Sequence, residues 1–299
     1  MWLYGQPHPA APVPALYVTG RHCTIVRPEV ADGHPTGVYV LAMRRVLEVG
    51  GRRMPFLRWS FVRMMVGLPR LLKRWQVGDG REQAFCDHIV RTAPAGDLDA
   101  AIAAADAFCY EISFMINVGD EKGAILDRVV AATSPRQLLE LGTYCGYSGL
   151  RMARAMGPDA QLVSLEFNPD NARIARRVWE HAGIGHRATV VVGTLGDGGA
   201  TADTLEAEHG FGPGSVDLVF LDHDKNAYLP DIELILDRGW LHAGSVAVAD
   251  NVKFPGAPKY RAYMEAQEGS GWRTTEHETH AEYQTLIKDL VLESERLAA

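Results

Sequence analysis

From about Arg81 onward, short apolar runs alternate with amphipathic segments. The runs Gln137–Leu141, Gln161–Phe167, Ala188–Gly193, Val216–Asp222 and Ser245–Asp250 read as strands. Helical periodicity falls between and after them near 148–157, 169–183, 201–209, 229–238 and 257–267, and two more helical stretches, 82–93 and 97–115, come first. Strands alternating with helices at this spacing predict βαβ units and a mostly parallel sheet covered on both faces. Trp272–Glu278 and Tyr283–Leu292 then read as two strands with no long helix between them, so the sheet ends in an antiparallel pair.

Upstream the pattern changes, dividing the chain into an N-terminal extension, 1–80, and a domain, 81–299. Residues 1–36 are rich in Pro, Gly and Ala with weak periodicity. They are expected to be extended or disordered, or to reflect a start codon set too far upstream. From Arg44 to Trp75, nine basic residues stand against the single acid Glu48, a local charge of +8 in a chain of net −7. The same segment holds Phe56, Trp59, Phe61, Met64, Met65, Leu71 and Trp75. Two readings stay open: a helix lying in an anionic membrane interface, or a helix pair packed on the main domain with its arginines solvated. Gly67 and Pro69 interrupt the pattern.

The 47 % hydrophobic and 22 % charged residues are those of an ordinary globular protein. The acidic balance argues against general nucleic-acid binding, which needs a basic footprint. Cys23, Cys86, Cys109 and Cys145 form no C-x-x-C pair and match neither a zinc site nor a disulfide framework. They read as reduced thiols in a cytoplasmic protein. No apolar run is long enough to span a membrane, and the first residues lack a signal-peptide pattern. The expectation is a monomer or weak dimer acting on a small molecule, with peripheral membrane contact confined to residues 44–75.

In an open α/β sheet, ligands bind beyond the carboxyl ends of the strands. The turn Gly142-Thr143-Tyr144-Cys145-Gly146-Tyr147-Ser148 follows the first run of the sheet. Its glycines allow a tight turn and close ligand approach, and Ser148 can cap the next helix. The G-x-x-x-G spacing is not the G-x-G-x-x-G that seats a pyrophosphate, which disfavours a nicotinamide dinucleotide and favours a nucleoside without phosphates. Glu166, 24 residues past Gly142, is placed to accept from both ribose hydroxyls. Its competing role, capping the next helix, is already served by Asn168 and Asp170.

The run ending at Asp222 and the run ending at Asp250-Asn251 deliver two carboxylates and an amide oxygen to one place. These are hard ligands suited to Mg²⁺ rather than zinc. The plainer alternative is that the acids cap helices. Lys225, three residues past Asp222, can point into the same cavity as a general base whose ammonium form a nearby cation disfavours.

Taken together, these residues resemble the catechol O-methyltransferase family from about Arg81 to the C-terminus. The matching segments are Ile116-Asn117-Val118-Gly119-Asp120, Leu139 to Ser148, Leu165 to Pro169, Phe220 to His223, Lys225, Tyr228 to Asp231, Ala249 to Val252, Phe254-Pro255-Gly256 and Glu282-Tyr283. The resemblance implies a Rossmann-like, doubly wound, seven-stranded α/β sheet of the class I methyltransferase kind. It implies an S-adenosylmethionine site lined by Val118, Glu140, Gly142, Tyr144, Ser148, Glu166, Phe167, Gly193, Asp222 and His223. Asp222, Asp250 and Asn251 would hold Mg²⁺. Lys225 would be the base and Glu282 would hold the second substrate hydroxyl, while Asn251 and Pro255 would also meet the substrate.

Three positions depart from the family. Asp224 and Phe114 stand where it has tryptophans, and Thr194-Leu195-Gly196 replaces its serine and glutamine beside the adenine. An acidic Asp224 would welcome a cationic amine or a larger polar substrate. A caffeoyl- or flavonoid-directed cation-dependent methyltransferase is the alternative enzyme. An inactive membrane-associated binding module is a third reading, opposed by the intact set Asp222, Lys225, Asp250, Asn251 and Glu282.

Overall fold

The computed structural model describes residues 47–49, 52–54 and 59–298. The expected disorder of residues 1–36 lies outside them, as does part of the basic segment. β1 (Leu47–Val49) pairs antiparallel with β2 (Arg52–Met54). Two short helices follow, α1 (Trp59–Val66) and α2 (Leu68–Arg74). Gly67 and Pro69 do not break one helix; they end the first and begin the second, with the proline in the opening turn where its missing N–H costs nothing. Met64 and Leu71 bury against Val77 and Phe114 in a small cluster of their own. Arg81, itself buried, donates to the carbonyls of Ser60 and Phe114 at 2.6 and 2.5 Å and so ties α1 to the chain entering the domain.

Next come α3 (Arg81–Thr92), α4 (Leu98–Glu111) and α5 (Gly119–Thr133). The sequence pattern did not predict α5. Its buried stripe Ile125, Leu126, Val129 and Val130 has helical spacing, but Gly119 and Gly123 dilute the helical signal at its start. Then β3 (Gln137–Leu141), α6 (Tyr147–Ala155), β4 (Gln161–Glu166), α7 (Pro169–His181), β5 (Ala188–Val192), α8 (Ala200–Glu208), β6 (Val216–Leu221), α9 (Tyr228–Asp237) and β7 (Leu241–Ala249) alternate as expected. After a tight turn over Val252–Gly256 come α10 (Pro258–Ala266), β8 (Trp272–His280) and β9 (Lys288–Arg296).

The seven strands lie in the order β5-β4-β3-β6-β7-β9-β8. The first five are parallel; β9 runs antiparallel to β7, and β8 antiparallel to β9. Side chains alternate between the faces, so Leu138, Leu162, Leu218 and Phe220 enter the core under α3 to α7, while Leu139, Val163, Val219 and Leu221 enter that under α8 to α10. Burial on both faces makes each strand a near-continuous apolar run. The chain leaves β3 for β4 on one side and returns to β6 on the other, so the crevice beyond β3 and β6 is the switch point where ligands bind.

The last strand differs from expectation. Tyr283–Ile287 is a loop closed by one side chain: the Gln284 amide donates to the carbonyls of Ala281 and Ile287 and accepts from the N–H groups of Leu286 and Ile287. These bonds replace ladder bonds, so pairing starts only at Lys288. Among the described residues no helix is long and apolar enough to cross a membrane.

Candidate functional site

A cleft of about 330 Å³ opens at the switch point. Nine of the ten residues expected at the methyl donor line it: Val118, Gly142, Tyr144, Ser148, Glu166, Phe167, Gly193, Asp222 and His223. The tenth, Glu140, does not. It is fully buried in β3, accepting from the hydroxyls of Ser148 and Ser164, and burial pushes its carboxyl up to about 7. Glu140 therefore supports Ser148 from beneath the cleft.

Glu166 stands at the end of β4. Its Oε2 accepts from the N–H of Tyr144 at 2.7 Å and its Oε1 from the N–H of Asn168 at 2.9 Å. The helix cap is Asn168, whose side chain accepts from Asp170. Burial raises Glu166 to about 7, opposed by those backbone donors. The carboxylate, also bonded by the Asn171 side chain, retains acceptor capacity for a ribose hydroxyl. His223 stacks on Tyr228 with ring centroids 5.0 Å apart and bonds Asp231 through Nε2 at 2.8 Å. Its Nδ1 is buried with no partner. Such an orphan at a cleft wall fits a polar ligand edge.

Sequence reasoning placed Lys73 and Trp75 only in the basic segment, yet both also line the cleft. They arrive because α2 is pinned to α7: Asn168 and Asn171 donate to the carbonyls of Arg74 and Trp75 at 2.6 and 3.0 Å. Phe114 lies outside the cleft lining, buried edge-to-face against Phe61 at 5.4 Å.

Asp222 joins this cleft to a second group of charges. Lys225 donates to Asp222 Oδ1 at 3.0 Å and to the Tyr228 hydroxyl at 2.6 Å. That hydroxyl donates in turn to the carbonyls of Leu221 and Asp250 at 2.7 and 3.1 Å, bracing the ends of β6 and β7 together. Asp250 is wholly buried, and Asn251 follows it at φ 54°. The Asn251 amide nitrogen donates to Glu282 at 3.0 Å and to Asp289 at 2.8 Å. Its Oδ1 accepts no hydrogen bond among the described residues, so the amide presents a free oxygen. Asp250 Oδ1 accepts from the N–H of Asn251, while Oδ2 receives no aligned hydrogen bond.

The second group holds residues that the pattern did not reveal. Lys122, 1 % exposed, lies 2.8 Å from Asp250 Oδ2, 2.6 Å from Glu282 and 3.3 Å from Asp289. Burial pushes Asp222 upward and Asp250 up to about 7 in spite of the two lysines. Glu282 goes down: burial would raise it, but Lys122 and the Asn251 amide overcome that. Pro255 stands exposed on the turn after Asn251.

Among the described residues no three His, Cys, Asp or Glu side chains form a metal-ready group. The expected donor set has only two such residues and completes itself with an amide. The free Asn251 oxygen and the carboxylates of Asp222 and Asp250 are the donor chemistry of a hard cation, with Asp250 Oδ2 also ion-paired to Lys122 at 2.8 Å.

A family model described as O-methyltransferase matches residues 97–268. The chain is 57 % identical over 234 residues to the probable O-methyltransferase Rv1703c of Mycobacterium tuberculosis, covering 78 % of this chain and 100 % of that one. It is 36 % identical over 266 residues to the catechol O-methyltransferase of Bos taurus (87 % and 92 % covered) and 44 % over 205 residues to catechol O-methyltransferase B of Danio rerio (68 % and 74 %). Among solved structures, cofactor-bound Rv0187 from MTB superposes with a TM-score of 0.54 at 29 % identity, covering 68 % of this chain and 90 % of that one. The switch-point cleft and these likenesses agree: the chain belongs to the O-methyltransferase family and is an S-adenosylmethionine-dependent O-methyltransferase akin to the catechol O-methyltransferases.

Proposed function

We propose that the protein methylates one hydroxyl of a catechol-type substrate, with Mg²⁺ held by Asp222, Asp250 and Asn251. The observation that carries this reading is the setting of Asn251, whose amide nitrogen is held by Glu282 and Asp289 so that its oxygen stays free beside Asp250. The names of the bovine and zebrafish relatives support the substrate class.

A magnesium ion bound there would supply a charge that acidifies a diol hydroxyl and fixes its direction. Lys225 takes the proton at Nζ, which Asp222 and Tyr228 hold at the strand end. Glu282 accepts a hydrogen bond from the second hydroxyl, and Pro255 flanks the ring. Glu166 and the glycine turn orient the donor so that its methyl meets the reacting oxygen in line. Such positioning supplies up to roughly 7–11 kcal/mol of the barrier reduction. Closing the cleft against water helps further, because charge partly cancels as anionic oxygen meets cationic sulfonium.

Two further parts of the reading concern place. The wide spacing of the four cysteines, with Cys86, Cys109 and Cys145 buried, supports a reducing, cytoplasmic setting. The basic α1–α2 segment supports peripheral contact with an anionic membrane.

Transfer from labelled S-adenosylmethionine to a catechol panel, with EDTA and then restored Mg²⁺, tests the reaction. Activity is expected to vanish on chelation and return with the metal. A Lys225→Met variant should lose about 10²–10⁴-fold in kcat while still binding the donor. Full activity after complete chelation overturns the metal.

A further inference from the structure

Lys122 is a cation enclosed by the machinery it serves. It sits in the first turn of α5, yet its partners come from the far end of the chain: Asp250 after β7, Glu282 in the β8–β9 loop and Asp289 on β9. Asn251 grips two of the same three carboxylates from the other side. Asp289 is fixed independently, since its Oδ1 accepts from the N–H of Phe254 at 2.9 Å. Lys122, Glu282, Asn251 and Asp289 therefore close a ring in which each carboxylate has two nitrogen donors.

From this ring we infer that Lys122 is a positioning residue of the methyl transfer: one ammonium group sets the metal-facing Asp250 and the substrate-facing Glu282 at a fixed separation. The inference rests on the catechol and metal reading above and goes beyond it by assigning the group that fixes the acceptor relative to the cation. A vicinal diol has two oxygens at a rigid spacing. A site that directs one oxygen at the cation and the other at Glu282 must fix the distance between those anchors before substrate arrives. Carboxylates on two loops would otherwise drift apart by mutual repulsion. Lys122 removes that freedom with a short contact to each.

The ring also sets the charge. Asp222, Asp250, Glu282 and Asp289 face Lys122 and Lys225. Four carboxylates against two ammonium groups leave a formal −2, which a single divalent ion neutralises. Without Lys122 the site would carry −3 and Asp250 Oδ2 would lose its counter-ion. Cation binding then strengthens while the acceptor anchor loosens. Opposite changes in two affinities mark positioning; a general loss of structure would weaken both together.

The test uses the full chain, with Mn²⁺ as a paramagnetic probe of the cation site and 4-nitrocatechol, without methyl donor, as the acceptor probe. Lys122→Met should bind Mn²⁺ more tightly and 4-nitrocatechol at least about tenfold more weakly. Removing Lys122 alone leaves three buried carboxylates uncompensated, so Lys122→Met/Asp289→Asn, which keeps the charge balance, is measured beside it. That double variant should hold Mn²⁺ affinity within about threefold of wild type and donor affinity unchanged. Its acceptor affinity should fall by the same tenfold, appearing in KM more than in kcat, and Lys122→Arg should recover part of it. If both Met-containing variants keep wild-type acceptor affinity, or the double variant loses Mn²⁺, donor and acceptor together, the assignment is overturned. Wild-type protein that binds 4-nitrocatechol equally with and without Mn²⁺ would instead overturn the reading of the metal site, and this inference with it.

Discussion

Gly142 lies directly against the backbone of Asp222. A Cβ on Gly142 would stand 2.5 Å from the Asp222 carbonyl oxygen, and the glycine holds φ 106°. The contact packs the glycine turn after β3, the proposed seat of the methyl donor, onto the strand that ends in the candidate metal site, and Asp222 N donates to Leu141 O at 2.9 Å across the same seam. Gly142→Ala adds strain of about 1–3 kcal/mol from the backbone conformation alone. The expected outcome is a lowered Tm, with binding of S-adenosylmethionine and Mn²⁺ falling together by about tenfold or more, since each 1.4 kcal/mol is a factor of ten. Calorimetric titration of both ligands checks it; a loss confined to one would break the link between turn and strand.

Glu140 gives the fold a pH dependence that can be worked out in sign. Burial raises it from the ordinary 4.5 to about 7. Between those values the folded chain holds a proton that the unfolded chain releases. Stability from this group is therefore fully present below about 4.5 and is lost as pH rises towards 7. Glu140→Gln keeps an acceptor for Ser148 or Ser164 and removes the titration. Urea unfolding at pH 5 and pH 8 should show the variant gaining on wild type at the higher pH, by a few kcal/mol at most. An equal difference at both pH values would count against a buried, titrating Glu140.

Much of this site was legible because parallel strands buried on both faces end abruptly where their apolar runs end. Asp222, Asp250 and Glu166 each follow such a run, so sequence order alone placed them at one edge of the sheet. Lys122 and Asp289 were not legible. A lysine in the first turn of a helix is solvated by default, and only the return of β9 beside β7 brings Asp289 within reach. Glu140 lies one layer behind the cleft lining for a related reason. It shares the segment of the glycine turn, but it is fully buried in β3 between the hydroxyls of Ser148 and Ser164, and only Ser148 reaches the cleft. The loop Tyr283–Ile287 was read as strand because its apolar residues resemble one, while the capping work of Gln284 is visible only in three dimensions.

Asp224 bears on substrate choice. It is exposed at the cleft, where its Oδ1 accepts from the N–H and the side-chain amide of Asn226 at 2.9 and 3.0 Å. Asn at this position preserves that turn and deletes only the charge. At an exposed site such a charge contributes about 1 kcal/mol or less towards a cationic substrate. Comparing kcat/KM for dopamine with that for uncharged catechol, Asp224→Asn should reduce the amine preference by up to about fivefold. An unchanged ratio would remove Asp224 from substrate selection.

The outer face of α1 makes the last prediction. Met64 and Ser60 point inward, whereas Trp59, Val62, Met65 and Val66 are 53, 40, 48 and 80 % exposed. The spacing 59, 62, 66 sets three of them along one side of the helix. Arg63 on the same helix and Arg70, Lys73 and Arg74 on α2 are exposed. An apolar stripe on a strongly basic segment suits an anionic bilayer surface better than water, because the stripe enters the acyl boundary while each cation near acidic headgroups gains about 1 kcal/mol. The full chain should therefore sediment with phosphatidylserine-containing vesicles, weakly or not at all with phosphatidylcholine alone, and less as salt is raised. Trp59→Glu/Val66→Glu should abolish sedimentation without touching the buried contacts of α1. Because Lys73 and Trp75 of the same segment line the donor cleft, docked protein should also bind S-adenosylmethionine with an altered affinity. Equal sedimentation of wild type and variant, or binding indifferent to lipid charge, would leave α1–α2 as a packed helix pair with no role at a membrane.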